Sequence, residues 1–343
     1  MDYARLVEGG YSAVMTALAG RARGIAAPTS GSTGQPREVL VSADAMVASA
    51  SATLARLGGP GHWLLALPTD RIAGAMVVAR AHLGGGALVH HDGGPFTAAG
   101  FAAAAATLPE GRRYVSLVPT QVWRLLADPR GTAALAAFDA VLVGGAPPGM
   151  DLPPQALETY GMTETAGGCV YDGLPLAGAS VRIADDGRIE LAGPMLADGF
   201  ADGDDSAFLM RDGTRWLRTG DMGVLDGRRL TVQGRADDVI LSGGVNVHPA
   251  PVERALRAHG GIADAVVVGA PDPQWGERVV ALVVLEPGAT VTLEDLRSSL
   301  SLERAALPTA MAALDSIPRT AAGKIDRYAA RALGARITAE EAP

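Results

Sequence analysis

At 343 residues with one cysteine, Cys169, the chain has the length of about two domains and no internal disulfide, which makes a reducing cytoplasm the default compartment. A formal net charge of −8 argues against a broad nucleic-acid footprint, which would need clustered Lys and Arg. Apolar runs such as 101–108 and 279–285 are too short to cross a bilayer, and no amino-terminal stretch reads as a cleavable signal, so the expectation is a soluble protein that binds neither nucleic acid nor membrane.

In chain order, residues 38–57 read as a helix, closed by the turn Gly58-Gly59-Pro60-Gly61. A short apolar run at 63–67, ended by Pro68, reads as a buried strand, followed by a helix at 72–83, a strand at 87–90 and an alanine-rich helix at 97–108. Strands at 114–118 and 140–143 complete an alternation that indicates a parallel sheet with helices on both faces. Beyond about residue 175 the texture changes to short strands at 180–183, 188–191, 215–217 and 229–233, separated by Asp-Gly turns at 186–187, 212–213 and 226–227. A third region follows, with a helix at 249–258, strands at 265–269 and 278–285 and a helix at 292–300. The fold class is therefore α/β: a large N-terminal domain, 1–235, of parallel sheets flanked by helices plus an antiparallel β subdomain at about 176–233, then a small α+β C-terminal domain, 236–343.

Composition carries one chemical clue. Of the 29 basic residues, Lys324 is the only lysine. Where arginine has replaced lysine wherever a charge suffices, the survivor either marks a site that needs a compact ammonium on a flexible stem or falls where it does by chance. The segment Thr29-Ser30-Gly31-Ser32-Thr33-Gly34-Gln35-Pro36-Arg37 concentrates hydroxyls, glycines and a cation, the ingredients of a phosphate cradle, without the spacing of a P-loop. Read by itself, such a run also describes a flexible loop.

That string resembles the T-S-G-[ST]-T-G-x-P-K signature of the adenylate-forming superfamily, with Arg37 in the lysine position. Further strings match the same superfamily in order: Gly144-Gly145-Ala146-Pro147; Tyr160-Gly161-Met162-Thr163-Glu164-Thr165; Trp216-Leu217-Arg218-Thr219-Gly220-Asp221; Gly234-Arg235-Ala236-Asp237-Asp238 with Ser242-Gly243-Gly244; and Pro318-Arg319-Thr320-Ala321-Ala322-Gly323-Lys324. The resemblance implies that residues 29–34 and Arg37 hold pyrophosphate and that Gly144, Gly145 and Ala146 lie along the adenine. It implies that Tyr160, beside Gly161, stacks on that ring, Thr163 meets the α-phosphate, Glu164 binds Mg²⁺, Asp221 takes the ribose hydroxyls and Arg235 lies near the ribose and phosphate. Asp237 becomes the hinge, Gly243 and Gly244 line the coenzyme A channel, Arg71, Thr120 and Gly168 line the acyl pocket, and Lys324 is the catalytic lysine on a mobile C-terminal domain. The lone lysine falling on that position joins two independent observations.

The implied cofactors are ATP, Mg²⁺ and coenzyme A; the implied partner is a small carboxylic acid, aromatic in type, with self-association into a homodimer left open. The implied cycle makes acyl-AMP from the acid and ATP, then a thioester. A carrier-protein thiol, an amine or another nucleophile as acceptor, with another aryl or acyl acid as donor, is the alternative. The chain is shorter than most members of the superfamily, and Gly167-Gly168-Cys169-Val170-Tyr171-Asp172-Gly173 resembles the compact actinobacterial form of the o-succinylbenzoate–CoA ligases of menaquinone biosynthesis. It departs from them at Asp70-Arg71, where those ligases read His-His. Arg71 could grip a second carboxylate, select a different acid, or simply pair with Asp70 at the surface.

Overall fold

A computed structural model describes residues 2–29, 37–91, 94–145, 151–319 and 325–340. The chain divides into two units, the first comprising Met1–Ala184, Ile189–Thr219 and Leu225–Thr231, the second Asp185–Arg188, Gly220–Val224 and Val232–Pro343.

The first unit begins with β1 (Tyr3–Arg5), α1 (Gly10–Leu18), β2 (Gly24–Pro28) and β3 (Glu38–Ser42), with β2 parallel to β1 and antiparallel to β3. The helix expected over 38–57 is corrected here. In residues 38–42 Val39 and Val41 are buried while Glu38, Leu40 and Ser42 are half-buried, a period of two that fits a strand. The helix, α2 (Ala43–Arg56), starts only where Ser42 Oγ accepts a hydrogen bond from the Ala45 amide at 3.3 Å.

Then come β4 (His62–Leu65), α3 (Ile72–Leu83), β5 (Leu88–His90), α4 (Ala98–Ala106), β6 (Arg113–Leu117), α5 (Pro119–Leu126), α6 (Pro129–Leu135), β7 (Ala140–Gly144) and β8 (Ala156–Met162). The strands lie in the order β5–β4–β6–β7–β8, each parallel to its neighbour, and β9 (Gly167–Tyr171) and β10 (Leu174–Pro175) continue the sheet antiparallel. Alternation along these strands separates two cores. Trp63, Leu65, Tyr114, Ala140 and Leu142 pack with residues of α1, α2 and α3. Leu64, Val115, Leu117, Val141 and Val143 pack on the other face with Phe101, Val122, Leu125 and Leu135. Both faces of the parallel sheet are thus covered, as the near-continuous apolar strands require.

The β-rich region holds β11 (Ser180–Ile183), β12 (Arg188–Ala192), β13 (Gly199–Phe200), β14 (Phe208–Arg211), β15 (Thr214–Asp226) and β16 (Arg229–Arg235). β13 closes the first small sheet against β3, and the others form a sheet ordered β11–β12–β15–β14 with β16 on β15. The Asp212-Gly213 turn joins β14 to β15 with φ of +48° and +75°, the left-handed pair a two-residue hairpin demands. β14 and the full 13-residue length of β15 go beyond the expected strands.

In the second unit β17 (Ile240–Ser242), β18 (Val245–Val247), α7 (Pro249–Arg257), β19 (Ile262–Asp272), β20 (Gly276–Leu285), α8 (Leu293–Ser299), β21 (Ala310–Ala313) and α9 (Arg327–Glu340) build an α+β layer. The sheet runs β18–β17–β20–β19, with β21 parallel to β20. One face of β19, through Ala265 and Val267, packs with Val252 and Leu256 of α7. The opposite face, through Val266 and Val268, packs with Ala330 and Leu333 of α9. Among the described residues no helix is long and apolar enough to cross a membrane.

Candidate active site

Parallel sheets bind ligands beyond the carboxyl ends of their strands. In the first unit that edge collects the expected residues: Arg71 leads into α3 after β4, Thr120 stands in the first turn of α5 after β6, Gly144 ends β7 with Gly145 following, and Tyr160, Gly161, Thr163 and Glu164 finish β8 and its 3₁₀ turn. Gln121 stitches two of these ends together, its side-chain oxygen accepting from the Val118 amide at 3.0 Å and its side-chain nitrogen donating to the Ala66 carbonyl at 2.9 Å.

The turn carrying Thr163 and Glu164 is fixed by Thr165, which the sequence reading did not single out. Thr165 is fully buried; its hydroxyl accepts from the Met162 amide at 2.9 Å and lies 2.7 Å from the Gly167 carbonyl. The Glu164 carbonyl accepts from the Ala197 amide at 2.8 Å, so the backbone is pinned while the side chain stays half-exposed. Gly161 lies against the β9 backbone so closely that a Cβ would sit 2.2 Å from the Gly167 carbonyl oxygen. Only glycine fits there, and Gly168 pairs opposite it.

At the Ser/Thr/Gly-rich stretch, the Thr29 amide donates to the Arg37 carbonyl at 2.8 Å and the Arg37 amide to Thr29 Oγ1 at 3.0 Å, tying residues 29 and 37 together. Ser30, Gly31, Ser32, Thr33, Gly34, Ala146 and Lys324 lie outside the described residues. The Arg37 guanidinium forks onto Asp202 with two contacts of 2.7 Å, reaches the Asp204 carbonyl at 2.8 Å, and lies 3.7 Å from the centre of the Phe200 ring. It also senses the negative charge of Glu164. At the expected metal position Glu164 offers one partly exposed carboxylate, which fits Mg²⁺, an ion that completes its shell with phosphate oxygens and water.

Along α3, Arg71 and Arg80 stand in different settings. Arg71 is exposed, with its Nε 3.8 Å from Asp70. Arg80, two turns further along α3, is instead 4 % exposed; its Nε has no hydrogen-bond partner, and no acidic side chain pairs with it among the described residues. Its guanidinium lies 5.7 Å from the centre of the Trp63 ring and 3.7 Å from the point where a Cβ on Gly167 would stand. An arginine in the middle of an otherwise apolar helix, Ala75-Met76-Val77-Val78-Ala79-Arg80-Ala81, was the available signal. Cys169 is buried, and desolvation pushes its thiol up to about 12, as suits a packed residue rather than a nucleophile.

In the second unit Arg235 gathers the remaining residues. Its guanidinium is 3.5 Å from Asp221 and 3.6 Å from Asp237. The Ser242–Val245 pair closes a two-residue turn of Gly243 and Gly244, with φ of +58° and +81°, and Trp275 packs beneath Gly243.

Comparison with known proteins places these features in context. Residues 27–198 match the family model described as AMP-binding enzyme, and residues 251–324 match the AMP-binding enzyme C-terminal domain. A probable 2-succinylbenzoate–CoA ligase of Mycobacterium tuberculosis is 43% identical over 319 residues, covering 88% of this chain and 82% of that protein. Among solved structures, the o-succinylbenzoate CoA synthetase of Bacillus subtilis, in complex with the acyl-adenylate intermediate, aligns with a TM-score of 0.73 at 28% identity, covering 89% of this chain and 68% of that one. An amide bond synthetase from Marinactinospora thermotolerans aligns with a TM-score of 0.78 at 27% identity, covering 90% and 69%.

Proposed function

The chain belongs to the AMP-binding enzyme family, and from that premise we propose that it joins an aromatic dicarboxylic acid of the 2-succinylbenzoate type to AMP and then to the thiol of coenzyme A. In the first step a carboxylate oxygen attacks the α-phosphorus of ATP and pyrophosphate leaves; in the second the thiol sulfur attacks the acyl carbon and AMP leaves. Both reactants of the first step are anions, so the chain's task is positioning and charge compensation.

Residues 29–34 with Arg37 line the pyrophosphate side. Gly144, Gly145, Ala146 and Tyr160 hold the adenine, Thr163 the α-phosphate, and Asp221 with Arg235 the ribose. Glu164 is the residue that would hold Mg²⁺, whose charge screens the phosphates. Lys324 bridges the attacking carboxylate and the α-phosphate. Residues 236–343 act as a mobile domain that turns about Asp237, withdrawing Lys324 and presenting the Gly243-Gly244 turn to the thiol. The setting is the cytoplasm, where ATP and coenzyme A are at hand.

The observation that carries the choice of acid is Arg80. A guanidinium cannot shed its proton to escape burial, and a buried charge without a counter-ion is destabilised by several kcal/mol. A second carboxylate on the bound acid supplies that counter-ion beside Gly167, which makes Arg80, rather than the exposed Arg71, the better reader of a dicarboxylate. The test is acid-dependent pyrophosphate release across paired mono- and dicarboxylic aromatic acids. The wild type is expected to favour the dicarboxylate, and Arg80→Met to lose that preference by about tenfold or more, the scale of a charge-assisted hydrogen bond, while Arg71→His keeps it. Equal rates on both classes with wild-type protein would remove the dicarboxylate reading. Product analysis with coenzyme A and with amines decides the acceptor, since likeness to an amide bond synthetase makes an amine the second reading.

A further inference from the structure

The second unit contains a chain of ion pairs whose two ends lie at the hinge and at the segment that carries Lys324. Asp238, next to the hinge Asp237, pairs with Arg327 at 3.2 Å and Arg331 at 3.3 Å, and Arg331 also donates to the Asp237 carbonyl at 2.6 Å. Arg327, the first residue of α9, continues to Glu253 at 2.8 Å and to the Val267 carbonyl at 3.0 Å. Glu253 is nearly sealed from solvent and accepts from the Val267 amide at 3.0 Å, which locks its carboxylate to β19. From Glu253 the chain passes to Arg257 at 4.0 Å, from Arg257 to Asp264 at 3.0 Å, and from Asp264 to Arg319 at 2.6 Å.

Arg319 and Ile325 pair as an antiparallel bridge, and the Asp326 amide donates to the Pro318 carbonyl at 2.9 Å. The described residues on both sides of 320–324 are therefore held together. One side is tied through Arg319 to Asp264, the other through Arg327 to Asp238 and Glu253. Every cation in the chain is an arginine, whose fork can hold two carboxylates or a carboxylate and a carbonyl at once, as Arg327 does; a lysine point charge would not fix direction in this way.

We propose that the chain Asp238–Arg327–Glu253–Arg257–Asp264–Arg319 is a rigid strut that fixes Arg319 and Ile325, the described residues flanking the stretch that carries Lys324, relative to the hinge, so that rotation about Asp237 delivers the ammonium to the reaction centre without lost motion. This rests on the reading that Lys324 is the catalytic lysine. The strut residues touch no reactant in the proposal; they are positioning residues. Their loss should lower the turnover of adenylation, the step that uses Lys324, and leave the KM for ATP and acid and the thioester step from supplied acyl-AMP unchanged.

The test pairs two isosteric substitutions at opposite ends, Asp238→Asn and Asp264→Asn, which share no partner. Sites without shared partners act additively when independent. In a strut, breaking either end loses the function, so each single variant should lower adenylation kcat by about tenfold to a hundredfold, the range for misplacement of a reacting group by up to an ångström, and the double variant should be no slower than the worse single. In a Lys324→Ala background neither substitution should change the residual rate. Multiplying effects, equal losses in both half-reactions, or unchanged kcat in the single variants would overturn the proposal. If Asp238→Asn does not fold, the Asp264→Asn variant alone still decides through its KM-against-kcat split and its silence in the Lys324→Ala background. Wild-type protein that releases no pyrophosphate with any acid would instead overturn the functional reading on which the strut depends.

Discussion

Arg37 stands where the resembling family carries lysine, and its contacts give the exchange a physical reason. Two parallel contacts to Asp202 and stacking on Phe200 both use the planar guanidinium, and an ammonium would keep only one of them. The resemblance assigned Arg37 to pyrophosphate; its neighbours give it a further duty, anchoring the end of the 29–37 stretch. Asp202→Asn is therefore expected to raise the KM for ATP in the same direction as Arg37→Met, by about two- to fivefold, the worth of an exposed forked pair, and the double variant to show less than the product of the two. The hydrogen bond from Arg37 holds the Asp202 carboxyl down at about 2. Because that value lies below the ordinary carboxylate range near ~4, the pair contributes in full above that range and is lost only as the pH falls toward 2. An acid titration of loop-reporting amide signals should show no transition between neutrality and pH 5.

At the scale of elements, the strands and helices with a strong period were legible. The helix at 72–83 and the strand at 180–183 occupy the expected residues, and the Asp-Gly pair at 212–213 turns the chain as read. The misread helix at 38–42 failed because Glu-Val-Leu-Val-Ser sits directly before a true helix, and only the cap at Ser42 separates the two. The helices at 119–126 and 129–135 escaped notice because each is about two turns long; Pro119 and Pro129 at their first positions were the signal. Arg80 was signalled only by its apolar helical setting, and the partners of Arg37 were not legible, since a contact across 165 residues is a tertiary fact. The Gly243-Gly244 turn yields a prediction at this scale. Both residues have positive φ and a Cβ on Gly243 would meet Trp275 at 2.7 Å, so Gly243→Ala should cost about 1–2 kcal/mol of stability in denaturant titration and slow the thioester step more than adenylation.

For the whole molecule, the informative signal was order. A Gly-rich turn, a Ser/Thr-rich loop or a Thr-Gly-Asp string is common singly, but a family resemblance running from residue 28 to 330 in sequence is not. In the first unit the motifs at 144–145 and 160–164 lie at one edge because they follow the carboxyl ends of parallel strands that lie side by side, while the 29–37 stretch joins β2 to β3 of the small sheet. The second unit holds Asp221 and Asp237 around Arg235, and the ion-paired frame that ends at Arg319. The central claim is that these parts serve one reaction in which the single lysine completes the site. Its most direct test is the rate of pyrophosphate release from ATP with 2-succinylbenzoate present or absent, in wild-type protein and Lys324→Ala. The expected result is release that requires the acid and falls by about a hundredfold or more in the variant, the worth of a preorganised charge at the transition state. Release at an equal rate in both proteins, or none from wild-type protein with any carboxylic acid, would contradict it.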